Sequence, residues 1–151
     1  MKIKKILWPT DFSSIAEKAL PHVQTLARQN DAEIHVLYVI EDITHHESWY
    51  GDFELKRVKE LMRHAQKSAQ KRLEQICEKY LAGCPLYIKH IAVGDPAREI
   101  LKLIDLEKVD LVVMASHGQK GSFRFGSVAE KVLKNSPVPV TTIPVEPHNT
   151  A

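Results

Sequence analysis

The sequence predicts one α/β domain, a doubly wound sheet of five parallel strands with helices on both faces. Three observations predict it. Apolar segments alternate with amphipathic helical ones from end to end, the pattern of parallel strands joined by helical crossovers. The run Ile34–Ile40 is nearly all apolar and rich in β-branched residues, as a strand buried on both faces is. The chain of 151 residues suits a single domain with its own core, expected over 1–145 with a loose tail over 146–151.

The elements follow in order. Ile3 to Trp8 reads as the first strand, ended by Pro9-Thr10-Asp11 because proline cannot continue a central ladder. Ser14-Ile15-Ala16-Glu17 has the spacing of a capping box, and Ala16, Leu20, Val23 and Ala27 recur behind it at helical spacing. Pro21 falls inside that helix, where it is expected to free the carbonyl of Glu17 and bend the axis. Asn30-Asp31 closes the helix and Ile34–Ile40 is the second strand. Glu41 to Phe53 has no period and is expected to be a loop holding at most a short helix. Glu54 to Leu81 carries an apolar stripe from Leu55 through Met62, Ala69 and Leu73 to Tyr80. Gly83 and Pro85 stop this long helix.

Leu86 to Val93 alternates as a strand does. Gly94-Asp95-Pro96 then opens a helix, with Asp95 as cap and Pro96 in the first helical position. Leu111 to Ser116 is the fourth strand. Pro137 to Pro144 is the fifth, and Pro139 confines it to the sheet edge.

Between the last two strands, Met114-Ala115-Ser116-His117-Gly118 leads through Gly121 to Gly126-Ser127-Val128, where Ser127 and Glu130 have capping-box spacing. A strand, a glycine-rich loop and a helix start offer free N–H groups and a positive dipole end to an anion. A tight strand-to-helix connection explains the same residues without a ligand. The spacing is neither that of a P-loop nor that of a dinucleotide fingerprint. Right-handed crossovers gather the strand C-termini on one rim, and ligands bind there where the strand order reverses. Four segments leave that rim: Pro9-Thr10-Asp11, Val39-Ile40-Glu41, Val93-Gly94-Asp95-Pro96 and the glycine-rich loop.

Composition narrows the function. Hydrophobic residues at 44% and charged residues at 26% are ordinary for a soluble globular protein. A net charge of +2 is too small to argue for nucleic acid, and no dense basic cluster is read along the chain, so no electrostatic footprint for DNA or RNA and no nucleic-acid partner are expected. No apolar run is long enough to span a bilayer and no signal peptide precedes the first strand, so the expected location is cytoplasmic. Cys77 and Cys84 fit no metal or redox spacing. His45-His46-Glu47 lacks a third ligand, so no metal site is expected.

The segments together resemble the universal stress protein family over nearly the whole chain. The likeness is carried by Ile6-Leu7-Trp8-Pro9-Thr10-Asp11-Phe12-Ser13, Val36-Leu37-Tyr38-Val39, Gly94-Asp95-Pro96-Ala97, Ala115-Ser116-His117-Gly118, Gly126-Ser127-Val128-Ala129-Glu130-Lys131-Val132 and Pro137-Val138-Pro139-Val140. The resemblance implies a five-stranded parallel sheet with four helices, often dimeric through the last strand. One branch of the family binds ATP or another adenine nucleotide, with or without Mg²⁺, through Gly-x-x-Gly, nine residues and Gly-Ser or Gly-Thr. Here Ala115 holds the first glycine position, Gly118 the second, and Gly126-Ser127 the final pair. Seven residues, not nine, separate Gly118 from Gly126.

Carried over residue by residue, Asp11 is implied near the adenine and ribose, although it equally suits a turn after Pro9. Val39 is implied as an apolar wall against adenine, a role compatible with core packing. Gly94 and Asp95 are implied at the turn near the ribose, with Asp95 also a helix cap. Met114 and Ala115 approach the base and sugar, while Gly118, Gly126, Ser127 and Val128 supply N–H groups to phosphate. His117 is expected to touch phosphate or carbonyl oxygen rather than act as a base. Lys120 and Arg124 either screen phosphate charge or face solvent. Trp49, Tyr50 and Phe53 either cover the pocket or join a dimer contact.

The leading expectation is a regulatory nucleotide-binding protein with at most slow hydrolysis. The shortened loop favours the alternative, a nucleotide-free dimeric interaction module. An enzyme of the related adenine-nucleotide α-hydrolase group ranks last, because Pro9-Thr10-Asp11-Phe12 is not its signature. The last strand, with Val138, Val140 and Thr142, is expected to pair with its copy in a homodimer.

Overall fold

A computed structural model describes residues 1–41, 52–81, 86–116 and 126–144, with the backbone alone for 52–55. The order is β1 (Lys5–Pro9), α1 (Ser14–Glu17), α2 (Leu20–Asn30), β2 (Glu33–Ile40), α3 (Asp52–Leu81), β3 (Tyr87–Val93), α4 (Pro96–Glu107), β4 (Leu111–Ala115), α5 (Ser127–Asn135) and β5 (Val140–Ile143). The five strands form one parallel sheet in the order β3-β2-β1-β4-β5. The predicted class is therefore the observed one.

Alternation along each strand divides the core in two. Ile6, Trp8, Ile34, Val36 and Val113 join Val23 of α2 and Leu73, Cys77 and Leu81 of α3 in one cluster. Leu7, Leu37, Val112 and Met114 join Ile100 and Ile104 of α4 and Val132 of α5 in the other. Full burial of an aliphatic side chain such as Leu73 contributes on the order of 2 kcal/mol. Trp8 satisfies its indole by donating Nε1–H to the Ala16 carbonyl at 3.2 Å, which ties α1 to the sheet.

Three expectations about helices need correction. The first cap is Ser13, not Ser14: its hydroxyl accepts from the Ala16 amide at 3.1 Å. The helix expected to bend at Pro21 is instead two helices. Lys18 and Ala19 close with bonds to Ile15 and Ala16, and Pro21 sits in the first turn of α2, where its missing N–H costs nothing. The capping box at Ser127 does not form. Gly126 is the N-cap, the Glu130 amide bonds its carbonyl at 3.0 Å, and the Glu130 side chain pairs with Lys134 instead.

Several strand ends differ from those predicted. β1 starts at Lys5 and keeps Pro9, expected to end it, as its last residue in register with Leu37; β2 starts one residue early at Glu33, and β4 stops at Ala115 with Ser116 outside it. β5 runs only from Val140 to Ile143, because prolines at 137, 139 and 144 have no ladder N–H to give. It is nevertheless the edge strand expected. The long helix begins at Asp52, two residues before the expected start. The predicted loop over 42–51, the stop at Gly83 and Pro85, Cys84 and the tail from Val145 lie outside the described residues.

Candidate functional site

The strand order reverses between β1 and β4, so the crevice lies where those two strands end. β1 and β4 are in register at Leu7 and Val112. Two residues further along come Pro9 and Met114, then Thr10 and Ala115. The reversal thus brings together two segments separated by about a hundred positions of chain.

Three strands, β1, β3 and β4, hand a last ladder bond to the residue after them. The Thr10 amide donates to the Leu37 carbonyl at 2.8 Å, the Gly94 amide to Ile40 at 2.9 Å, and the Ser116 amide to Ile143 at 3.0 Å. These bonds hold the rim flush and fix where each loop departs. Val39 and Met114 both belong to the α4/α5 side, so they provide apolar surface on one face of the rim. Met114 and Ala115 are buried, Val39 half-buried.

The segment after β1 is built around Asp11. Its Oδ1 accepts from the Ser13 amide at 2.9 Å and also from the Ser13 hydroxyl. Ser13 in turn caps α1. Thr10, buried, accepts the Phe12 amide on its hydroxyl oxygen at 3.0 Å. The chain makes this bend with Phe12 at φ 65°, a left-handed conformation unfavourable for a residue with a Cβ. The Phe12 ring offsets that strain by stacking on Tyr38, centroids 4.1 Å apart, with the Arg72 guanidinium 4.5 Å from its centre. Asp11 therefore has the turn role that the sequence allows, and among the described residues its Oδ2 accepts no hydrogen bond. Sequence reasoning passed over Phe12 and Ser13. The Asp-x-Ser spacing of an Asx-turn was the signal that could have found Ser13.

Gly94 turns the chain after β3 at φ 150°, and a Cβ there would lie 2.8 Å from Glu99 Oε1. Asp95 caps α4 by accepting from the Arg98 amide at 3.0 Å, as predicted. Its carboxylate is thereby committed to the helix.

The phosphate end needs one correction. The Gly126 amide donates to the Ser116 carbonyl at 2.9 Å, so it is spent inside the protein and is not a free donor. That bond closes the neck of the loop. Beyond it, α5 starts with no side-chain cap. The amides of its first turn at Ser127, Val128 and Ala129 lack intrahelical acceptors, as at any helix start, and point out of the helix toward the rim. The Ser127 hydroxyl is exposed there. His117, Gly118, Lys120 and Arg124 lie outside the described residues, as do His45, His46, Trp49 and Tyr50. Among the described residues no group of three His, Cys, Asp or Glu side chains could hold a metal, and no helix is long and apolar enough to cross a membrane.

Comparison with known proteins adds the family context. Residues 2–144 match the Universal stress protein family. The universal stress protein MJ0531 of Methanocaldococcus jannaschii is 32% identical over 142 residues, covering 93% of this chain and 81% of that protein. The universal stress protein MJ0577 of the same organism is 33% identical over 157 residues, covering 93% of this chain and 94% of that protein. A solved structure of MJ0577 superposes with a TM-score of 0.84, covering 97% of this chain and 99% of its own. A family protein of Arabidopsis thaliana solved with AMP bound shares the fold at a TM-score of 0.64 and 21% identity, covering 98% of this chain and 95% of its own.

Proposed function

This chain belongs to the universal stress protein family, and from that premise we propose that it is a regulatory protein binding an adenine nucleotide at the β1/β4 crevice. The observation that carries the reading is the reversal of strand order beside a helix start with no side-chain cap. Anions favour such a helix start. The AMP bound by the Arabidopsis relative supports the choice of adenine nucleotide.

In this reading the base lies against Val39 and Met114, and Oδ2 of Asp11 accepts from a ribose hydroxyl or the adenine amino group. Gly94 lets the backbone approach the sugar. Amides of Ser127 and Val128, with Gly118 and His117 from the loop, meet the phosphates. Mg²⁺ would accompany a triphosphate through its oxygens and water. The nucleotide alters the order of the 118–126 loop and so the surface offered to a partner, with hydrolysis slow at most. The protein acts in the cytoplasm as a homodimer paired through β5.

The test is to denature purified protein, identify any released nucleotide by mass spectrometry, and titrate ATP, ADP and AMP calorimetrically. Binding to ATP, ADP or AMP supports the reading, and no heat at millimolar ligand removes it. Sedimentation at micromolar concentration tests the dimer. Two observations favour a second reading, a nucleotide-free interaction module: the Gly118–Gly126 spacing is two residues short, and the Gly126 amide is already bonded. Inserting two residues between Gly121 and Gly126 and gaining ATP affinity would support that reading.

A further inference from the structure

The charge of this chain is concentrated on half of one helix. Between Lys56 and Arg72, α3 carries seven lysines and arginines against a single carboxylate, Glu60, although the whole chain is only +2. The rest of the molecule is therefore net acidic. All seven cations are exposed. Lys59, Arg63, Lys67 and Lys71 follow one another at four-residue steps, which stands them in a row about 6 Å apart on one helix face.

Solvation alone does not account for this row. Like charges at four-residue spacing destabilise a helix, and chains commonly relieve it with alternating signs. This protein does so elsewhere: Glu130 meets Lys134 at 2.8 Å on α5, and Glu74 of α3 meets Lys89 at 3.8 Å. Among the described residues none of Lys56, Lys59, Arg63, Lys67 or Lys71 has a carboxylate within ion-pair distance. The stretch from Arg63 to Arg72 contains no acid at all. Its other polar members, His64, Gln66, Ser68 and Gln70, can each donate a hydrogen bond.

The same half-helix is also the part least embedded in the fold. Its buried residues begin only at Ala69, whereas Met62 and Ala65 are half-covered by the core. At 30 residues α3 is about 45 Å long, against about 26 Å for the eight residues of β2. The helix is therefore longer than the strand that precedes it.

We infer that this ridge is a docking surface for the phosphate backbone of double-stranded nucleic acid, bound without regard to sequence. Phosphate contacts of that kind are made by Lys, Arg, Gln and Ser side chains. An anionic membrane fits less well, because Met62 and Ala65 already pack on the core and leave no free apolar face to insert. An acidic protein partner fits less well, because the row has no apolar centre for an interface to bury, Leu61 standing at its border. Single strands fit less well, because no aromatic is among the exposed large hydrophobics of the described residues to stack a base.

The experiment is fluorescence anisotropy of a labelled 20-base-pair duplex titrated with the full-length protein between 50 and 200 mM salt. Four phosphate contacts give a slope of log K against log salt of about −3.6, a loss of about 100-fold across that range. Two unrelated duplex sequences bind equally. The variant K59Q/K67Q/K71Q, checked for helix content by circular dichroism, shows a slope reduced to about −1. The control K102Q/K131Q, which neutralises exposed lysines on α4 and α5, keeps the parent slope. No duplex binding at 50 mM salt would overturn the inference. So would binding that the triple variant retains, or binding to vesicles containing phosphatidylserine but not to the duplex.

Discussion

Replacing His90 by asparagine tests how a buried imidazole and a half-buried one share protons. His35 is fully buried in β2, its Nδ1 2.9 Å from His90 Nε2 and its Nε2 3.0 Å from Glu33 Oε1. The two rings lie nearly parallel with centroids 5.1 Å apart. When both are neutral, His35 donates to Glu33 and accepts from His90, and every nitrogen on that line is satisfied. If both rings were doubly protonated, two N–H groups would face each other across 2.9 Å. Burial, and then the charge of His35, lower the pKa of His90 below its ordinary value, while Glu107 opposes them. Lys5 completes the surroundings, 3.9 Å from Glu33 and donating to the Glu107 carbonyl at 2.9 Å.

The unfolded chain therefore takes up the His90 proton at a higher pH than the folded one. The stability tied to His90 is complete above about pH 6.5 and is lost as pH falls through that value. One proton sets a ceiling of about 1.4 kcal/mol per pH unit. Partial exposure of His90 keeps the observed slope beneath it. His90→Asn retains a donor for His35 but cannot titrate. In urea denaturation from pH 8 to pH 5, the parent exceeds the variant most at the alkaline end, and the two stability curves converge toward pH 5. Parallel curves across that range would refute the argument, since all other titrating groups are common to both proteins.

Other predictions follow from single positions. Gly94→Ala forces a Cβ into a left-handed backbone beside Glu99 and lowers stability by about 1–2 kcal/mol, read by thermal unfolding. Lys108→Gly relieves the left-handed C-cap of α4 at φ 55° and raises the unfolding midpoint, with a gain of up to about 1 kcal/mol. Leu73→Ala empties a fully buried site and costs about 2–5 kcal/mol in denaturant titrations. Burial pushes the Cys77 thiol up to about 11, so peptide mass spectrometry should find it unmodified by iodoacetamide at pH 8 until the protein is unfolded.

The sheet was legible because its strands declare themselves by composition. Leu111 to Met114 and Ile34 to Ile40 have no polar face, so only a two-sided burial fits them, and in the fold Leu111 to Met114 are all buried and Ile34 to Ile40 are buried apart from the half-buried Tyr38 and Val39. Boundaries were less legible because local signals competed. At the first helix, Ser13 and Ser14 both carry a capping hydroxyl. Asp11 decided between them by holding Ser13 in an Asx-turn, a contact that spacing alone does not rank. Ser127 and Glu130 had the right interval, yet the Gly126 carbonyl took the Glu130 amide and Lys134 took its carboxylate. At the rim, the turn at Gly94 and the cap at Asp95 could be assigned because both are local roles set by neighbours within a few residues. The bond from Gly126 to Ser116 could not be foreseen, since it joins residues ten apart with no periodic signal between them.

That bond has an entropic corollary. It holds residues 116 and 126 together across the nine positions that separate them in the chain. Lengthening the segment by two residues changes closure entropy by only about 0.2 kcal/mol. A change in its length is thus nearly free for the scaffold.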